Sequence, residues 1–322
     1  MIKHRYYDFV FYNTSLIAGI IAPKLIINGN KIIIFEKNRE FGIPRRCGNY
    51  LDRKYLKKLN INENSYMFQA ESHEMIFFNE DNIEIDKKNI DFLTIDPRLF
   101  EKYLISKSSQ FGVDIKAFTR ISDIKENENR INSITVKSFK SKKEINIKYL
   151  ISDQKIGQEL YINNKSINNE KILSTQFEIY TPELTNIDYF SVYKFYKNTN
   201  GIILIFPAST SNFNVWMINS PANLSLGAFL KNFLKINNFT VLSIINQDFL
   251  VNPIEIYNNY SNHYIINPEK GLINPIKDHY LMTKIEMGLY ITKFLQNHTN
   301  IEEKEVIQTF NKLLDKFPTI NI

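Results

Sequence analysis

Asn13, Ser15, Ala18 and Glu36 stand where a nucleotide-binding βαβ unit does its chemistry. The run Tyr7-Asp8-Phe9-Val10-Phe11-Tyr12 reads as a buried parallel strand, and Lys31-Ile32-Ile33-Ile34-Phe35-Glu36 as a second that ends on an acid. In a dinucleotide fold, an acid roughly 20 residues past a G-x-G-x-x-G turn takes a ribose hydroxyl. The glycines of that turn let a pyrophosphate approach the backbone at a helix amino end. Here the turn reads Asn13-Thr14-Ser15-Leu16-Ile17-Ala18, so the frame persists while the phosphate cradle is rewritten. Asn13 suits the first place, because asparagine visits the left-handed region more readily than most residues. Ser15 puts a side chain where a phosphate approaches, and Ala18 is a harmless variant of the third glycine. Pro23, within the helix that follows, removes one backbone hydrogen bond, at about 3 kcal/mol or a kink.

Other chemistry is sparse. Arg45 and Arg46 form either a solvated pair or a site for an anionic group. The histidines His4, His73, His263, His279 and His298 show no metal-ligand spacing, and none has a convincing Ser or Cys partner, so neither a metal site nor hydrolase chemistry is expected. The single cysteine excludes an internal disulfide and fits a reducing cytoplasm. A net charge of +6 spread over 322 residues, with lysines scattered, argues against a nucleic-acid partner. No signal peptide is expected before the first strand, and the longest apolar run, Leu16 to Ile27, is broken by Pro23 and Lys24, so no membrane span is expected.

The elements that must position these residues follow from pattern and punctuation. Phe41-Gly42-Ile43-Pro44-Arg45-Arg46-Cys47-Gly48 is a loop, and Ser65 to Asp91 suggests two or three strands. Asp96-Pro97 opens a helix that Gly112 closes. Arg120 to Ser152 reads as a β-meander. The middle, about Asn163 to Asn259, is mostly β, with strands at Phe190–Tyr196, Gly201–Phe206 and Asn214–Ile218 and a helix at Leu224–Leu234. A strand end at Tyr264, a helix from about Leu281 to Leu295 and a final amphipathic helix from Glu302 to Phe317 complete the chain. The expected fold is α/β: a Rossmann-like FAD/NAD(P)-binding three-layer domain (1–60, 93–155 and 262–298) with an inserted antiparallel β-sheet substrate domain (61–92 and 156–261), and a C-terminal helix (299–322).

Landmarks in this order resemble the geranylgeranyl reductase family of FAD-dependent oxidoreductases, within the group built like p-hydroxybenzoate hydroxylase. Phe41 to Gly48 is similar to that family's I-G-x-P-x-x-C-G loop, Asp96-Pro97-Arg98-Leu99-Phe100 to its D-R-x-x-F helix, and Phe111-Gly112-Val113-Asp114-Ile115 to its A-G-x-x-I. Phe206-Pro207 falls in the place of its Y-x-W-x-F-P strand, and Gly271-Leu272-Ile273-Asn274-Pro275 resembles its G-L-V-N-P. The resemblance implies FAD as cofactor, held by Asn13, Ser15, Ala18, Glu36, Arg46, Cys47, Arg98, Asp153, Gly271 and Asn274. It implies Cys47 as a catalytic residue facing the flavin, and Phe206, Pro207 and Trp216 on the substrate side. It implies no metal. The chain departs from the pattern at the phosphate turn, at Asp153-Gln154 for Asp-Gly, and at Asn267-Pro268-Glu269-Lys270, where a Gly-Asp and two small residues belong. Ile202 and Leu204 replace the strand's Tyr and Trp, Ala208 a following lysine, and Asp278 and Tyr280 the glycines near the flavin ring. Two readings follow. One is a reductase transferring hydride from reduced flavin to isoprenoid C=C bonds of lipid precursors, with weakened flavin binding. The other is a cofactor-free, degenerate relative that binds a lipid or a partner. The expected partner is an isoprenoid lipid or another apolar small molecule, with peripheral membrane contact and no nucleic acid. If the protein is an enzyme, Cys47 is expected to face an apolar cavity running past Phe206 and Trp216.

Overall fold

The computed structural model describes residues 6–43, 49–62, 67–139, 141–152, 171–183, 189–195, 201–209, 212–220, 224–250, 256–266 and 280–297. In chain order the elements are β1 (Tyr6–Tyr12), α1 (Ser15–Ile26), β2 (Ile32–Phe35), β3 (Tyr50–Asp52), α2 (Lys54–Leu59), β4 (Phe68–Phe78), β5 (Glu84–Ile95) and α3 (Pro97–Gln110). Then come β6 (Asp114–Lys116), β7 (Thr119–Asn127), β8 (Arg130–Ser138), β9 (Ser141–Ser152), β10 (Lys171–Tyr180), β11 (Tyr189–Phe195), β12 (Gly201–Pro207) and β13 (Asn212–Ile218). The last described elements are α4 (Leu226–Phe233), β14 (Thr240–Leu250), β15 (Ile256–Tyr260), β16 (His263–Ile266) and α5 (Tyr280–Asn297). They fall into two compact units, the first within Met1–Pro44, Arg98–Asn169 and Val251–Ile320, the second within Arg45–Pro97 and Glu170–Leu250.

The first unit is built on a parallel sheet in the order β6-β2-β1-β9-β16, the 3-2-1-4-5 arrangement of doubly wound nucleotide folds. β1 and β2 are adjacent and parallel, with Phe9 opposite Ile32 and Tyr12 opposite Phe35. Their unbroken apolar runs are explained by burial on both faces. Phe9, Phe11, Ile32, Ile34 and Ile151 pack under Ile17, Ile21 and Leu25 of α1, Ile105 of α3 and Met287 and Ile291 of α5. Val10, Tyr12, Ile33, Phe35 and Leu150 face the other way, onto Ile121, Ile131, Ile134 and Val136 of the β7–β8 hairpin. Helices, parallel sheet and meander thus make three layers. The long β9 joins two of them: its first half pairs antiparallel with β8 and its second half parallel with β1.

α1 and α3 lie side by side and run in the same direction, since Ser15 meets Glu101, Gly19 meets Leu104 and Ser108, and Ile26 lies nearest Gly112. Gly19 permits this, because a methyl group there would sit 2.7 Å from Leu104 Cβ. Pro23 neither ends nor shortens α1, which continues to Ile26. The missing amide would have bonded the Gly19 carbonyl. That carbonyl instead accepts from Ser108 Oγ of α3 at 3.3 Å, a hydroxyl shared with Leu104 O at 2.9 Å.

The second unit is an eight-stranded sheet in the order β14-β10-β13-β12-β11-β4-β5-β3, antiparallel except where β11 runs parallel to β4. One face carries Tyr193, Ile203, Ile205, Phe213 and Val215 under Phe229 and Leu230 of α4. Tyr50 of β3 belongs to this sheet, opposite Thr94 of β5. Residues 49–60 and 93–97 therefore go with the second unit and not with the first, because the short β3 finds its backbone partners on β5.

Candidate functional site

β1 ends at Tyr12, and Asn13 turns the chain with φ of 57°. This is the left-handed backbone expected in place of the first glycine. Its amide donates to Phe35 O at 3.0 Å, and its side-chain Oδ1 accepts from Lys37 N at 2.9 Å. A glycine could supply the angle but not the second bond, so Asn13 also ties the carboxyl end of β2 to the turn. Thr14 is the N-cap of α1, yet its side chain makes no capping bond, and the first turn of α1 contains no acidic residue. Among the described residues nothing caps the amino end of this helix, so its partial positive charge and first amides suit an anion. Two polar atoms here, Asn13 Nδ2 and Thr14 Oγ1, are shut off from solvent with no hydrogen-bond partner among the described residues, Thr14 being only 4% exposed.

Ser15 points its hydroxyl at Glu101 of α3, donating to Oε2 at 2.5 Å. Ala18 is fully buried in the core between α1 and the sheet, the close-packing role of the third glycine. Glu36 follows β2 directly and is buried. Its Oε1 accepts from Asn38 N at 3.0 Å and Asn38 Nδ2 at 2.9 Å, and the same amide group reaches Ile43 O at 2.9 Å. Asn38 thus fixes both the acid and the loop that follows, a part that pattern reading did not single out. Gly42, with φ of +78°, lies against the start of α3: a Cβ there would sit 2.7 Å from Arg98 Cα and 2.9 Å from Arg98 O. This close approach explains the glycine and places Arg98 beside the 36–43 loop. Lys102 pairs with Glu40 across the same junction, and that contact holds the Glu40 carboxyl below its usual range.

The structure therefore gathers Asn13, Ser15, Ala18, Glu36 and Arg98 in the first unit. Arg46, Cys47, Asp153, Gly271 and Asn274 lie outside the described residues, as do Asn267-Pro268, Asp278 and the final helix. In the second unit, Phe206 and Trp216 are fully buried on the sheet face opposite α4. Phe206 stacks on Phe190 and meets Tyr50 edge-on, with centroids 5.2 and 5.1 Å apart, while Trp216 Nε1 donates to Ser174 Oγ at 2.5 Å. Pro207 accepts from Thr94 Oγ1 through its carbonyl at 2.6 Å.

One expectation is corrected. His263 does have a serine partner, since Ser152 Oγ lies 2.8 Å from its Nε2. The parallel pairing of β16 with β9 brings them together, which no local spacing reveals. Both are fully buried, and burial lowers the His263 pKa to about 4, so the pair is a neutral internal bond without access to a substrate. No cluster of metal-ligating side chains occurs among the described residues.

The donor set fits an adenine dinucleotide. The turn is left-handed, the helix end is uncapped, two buried polar atoms have no partner among the described residues, and an acid closes β2. Among the described residues Ser15 and Glu101 do not fit: the serine side chain stands where a phosphate approaches, and the charge of Glu101 beside it repels one.

No family model matches the chain. In sequence it is 21% identical over 219 residues to the digeranylgeranylglycerophospholipid reductase of Methanococcus vannielii, a match covering 66% of this chain and about half (55%) of that protein. In structure it resembles a geranylgeranyl bacteriochlorophyll reductase-like protein of Thermoplasma acidophilum, with a TM-score of 0.77, 16% identity and coverage of 98% of this chain and 84% of that one. The flavin-dependent brominase Bmp2 follows with a TM-score of 0.72 at 11% identity, covering 96% and 84% of the two chains. The fold is that of the FAD-dependent oxidoreductases. Within it, the chain is similar in sequence and in structure to geranylgeranyl reductases, the family that its landmarks resemble.

Proposed function

We propose that this protein is a flavin-dependent reductase of isoprenoid C=C bonds in lipid precursors, with flavin affinity below that of its relatives. The observation that carries the reading is the turn between β1 and α1: a left-handed Asn13, an uncapped helix amino end and buried polar atoms without partners among the described residues, together with the acid that closes β2. In this reading the α1 amides and Thr14 Oγ1 meet phosphate oxygens, the Glu36 carboxylate accepts a ribose hydroxyl, and Arg46 and Arg98 balance the diphosphate charge. Asp153, Gly271, Asn274 and Cys47 take the flavin-side places that the resemblance gives them. FAD, when bound, supplies the hydride. Phe206, Pro207 and Trp216 take the substrate-side places that the resemblance gives them, buried beneath whatever surface meets a prenyl chain. The protein works in the cytoplasm, in peripheral contact with the membrane that holds its substrate; no described helix is long and apolar enough to cross one.

The Ser15–Glu101 contact favours a second reading, a cofactor-free lipid- or partner-binding relative, because it puts a carboxylate at the phosphate turn. Anaerobic incubation with reductant, FAD and a geranylgeranyl lipid, followed by mass measurement, separates the two. Under the first reading the wild type adds two hydrogens per double bond, and Cys47→Ala loses the activity. An unchanged mass with lipid still bound leaves the second.

A further inference from the structure

We propose that Glu101 determines how tightly the phosphate turn binds a dinucleotide, acting as a resident anion at the amino end of α1. The inference rests on the flavin reading and adds to it a residue that the resemblance does not assign.

Three observations support it. α1 supplies neither a capping side chain nor an acid in its first turn, so the anion that would ordinarily settle its amino end must come from elsewhere. α3 supplies one. Its face toward α1 presents Glu101, Leu104 and Ser108 at helical spacing, and the close contact of Gly19 with Leu104 sets the register that brings Glu101 to Ser15. Glu101 also takes up the only proton that Ser15 Oγ can donate, so the hydroxyl at the second glycine place turns its lone pairs, and not its hydrogen, toward an incoming phosphate. Charge and hydrogen-bond polarity then oppose the same ligand. Asn13 Nδ2 and Thr14 Oγ1, buried in the same turn and without partners among the described residues, mark where that ligand would otherwise be met.

The isosteric change Glu101→Gln keeps the shape and removes the charge. The test is titration of wild type, Glu101→Gln and Ser15→Gly with three probes: FAD by flavin fluorescence, ADP by calorimetry, and riboflavin as the probe without phosphate. With a unit charge removed a few ångströms from the diphosphate, Glu101→Gln is expected to bind FAD and ADP at least about tenfold more tightly, with riboflavin unchanged. Ser15→Gly, which leaves the carboxylate in place but removes its tether, is expected to gain less. Should Glu101→Gln bind ADP no better than wild type, the inference fails, and wild-type binding of FAD would then leave the flavin reading standing. Tighter ADP binding with no FAD binding in any variant would uphold the inference and end the flavin reading. If neither wild type nor Glu101→Gln binds either nucleotide, both are overturned.

Discussion

His263 shows how a single side chain makes stability depend on pH. The folded protein holds it neutral, with a pKa lowered by burial from 6.5 to about 4, while the unfolded chain protonates it below about 6.5. Between those values the unfolded state binds the extra proton, so stability rises with pH across the window and is lost as pH falls from 6.5 toward 4. The loss amounts to about 3 kcal/mol at most. Denaturant midpoints measured from pH 7.5 to pH 4.5 are expected to fall more steeply for wild type than for His263→Gln, which keeps a polar group near Ser152 but cannot titrate. Equal slopes would mean that other groups govern the acid limb. Asn13 and Glu36 could be read directly from the sequence, because a turn between two apolar runs and an acid at the end of the second are local facts. Glu101 could not, since its meaning depends on a residue 86 positions away.

At the scale of elements, the α1–α3 pair is one device and not two helices. Pro23 leaves the Gly19 carbonyl without its amide, Gly19 lets α3 approach, and Ser108 answers the carbonyl. The sequence pattern marks both helices and puts a lost hydrogen bond or a kink at Pro23, but the remedy lies on another helix, where no local pattern reveals it. Ser108→Ala is expected to cost about 1–2 kcal/mol, because a buried carbonyl loses its donor. Pro23→Ala restores the amide within α1. In that background the cost of Ser108→Ala is expected to shrink by about 0.5–1 kcal/mol, a coupling measurable by a double-mutant cycle in urea. Additive effects would show that the 3.3 Å contact carries no energy. The parallel pairing of β11 with β4 was hidden in the same way, because each strand by itself reads only as alternating and apolar.

The whole molecule is assembled from pieces distant in the chain. The first unit takes its described strands from Tyr6–Phe35, Asp114–Ser152 and Ile256–Ile266, and Asn262 joins the last piece to the others. Its buried side chain accepts from Ile131 N at 2.9 Å and donates to Ile131 O and Lys148 O, each at 2.8 Å, while its carbonyl accepts from Leu150 N at 2.9 Å. α5, later still, covers α1, with Gly288 set against Ile20. This discontinuity has a consequence in time as well as in space. During synthesis the βαβ unit leaves the ribosome well before α5, so the apolar face of α1 must wait, while the strands from Tyr50 to Leu250 can pair among themselves in the interval. A stalled nascent chain ending at Leu250 is expected to protect β10 to β13 from protease while leaving Tyr6–Phe35 open to cleavage, and protection of that segment is expected to appear only once Asn297 has cleared the exit tunnel. Early protection of Tyr6–Phe35 would show that the βαβ unit holds together without its last helix. If the expected order holds, the Asn13–Ala18 turn is made long before it takes shape, so any ligand of that turn can bind only after α5 has left the ribosome.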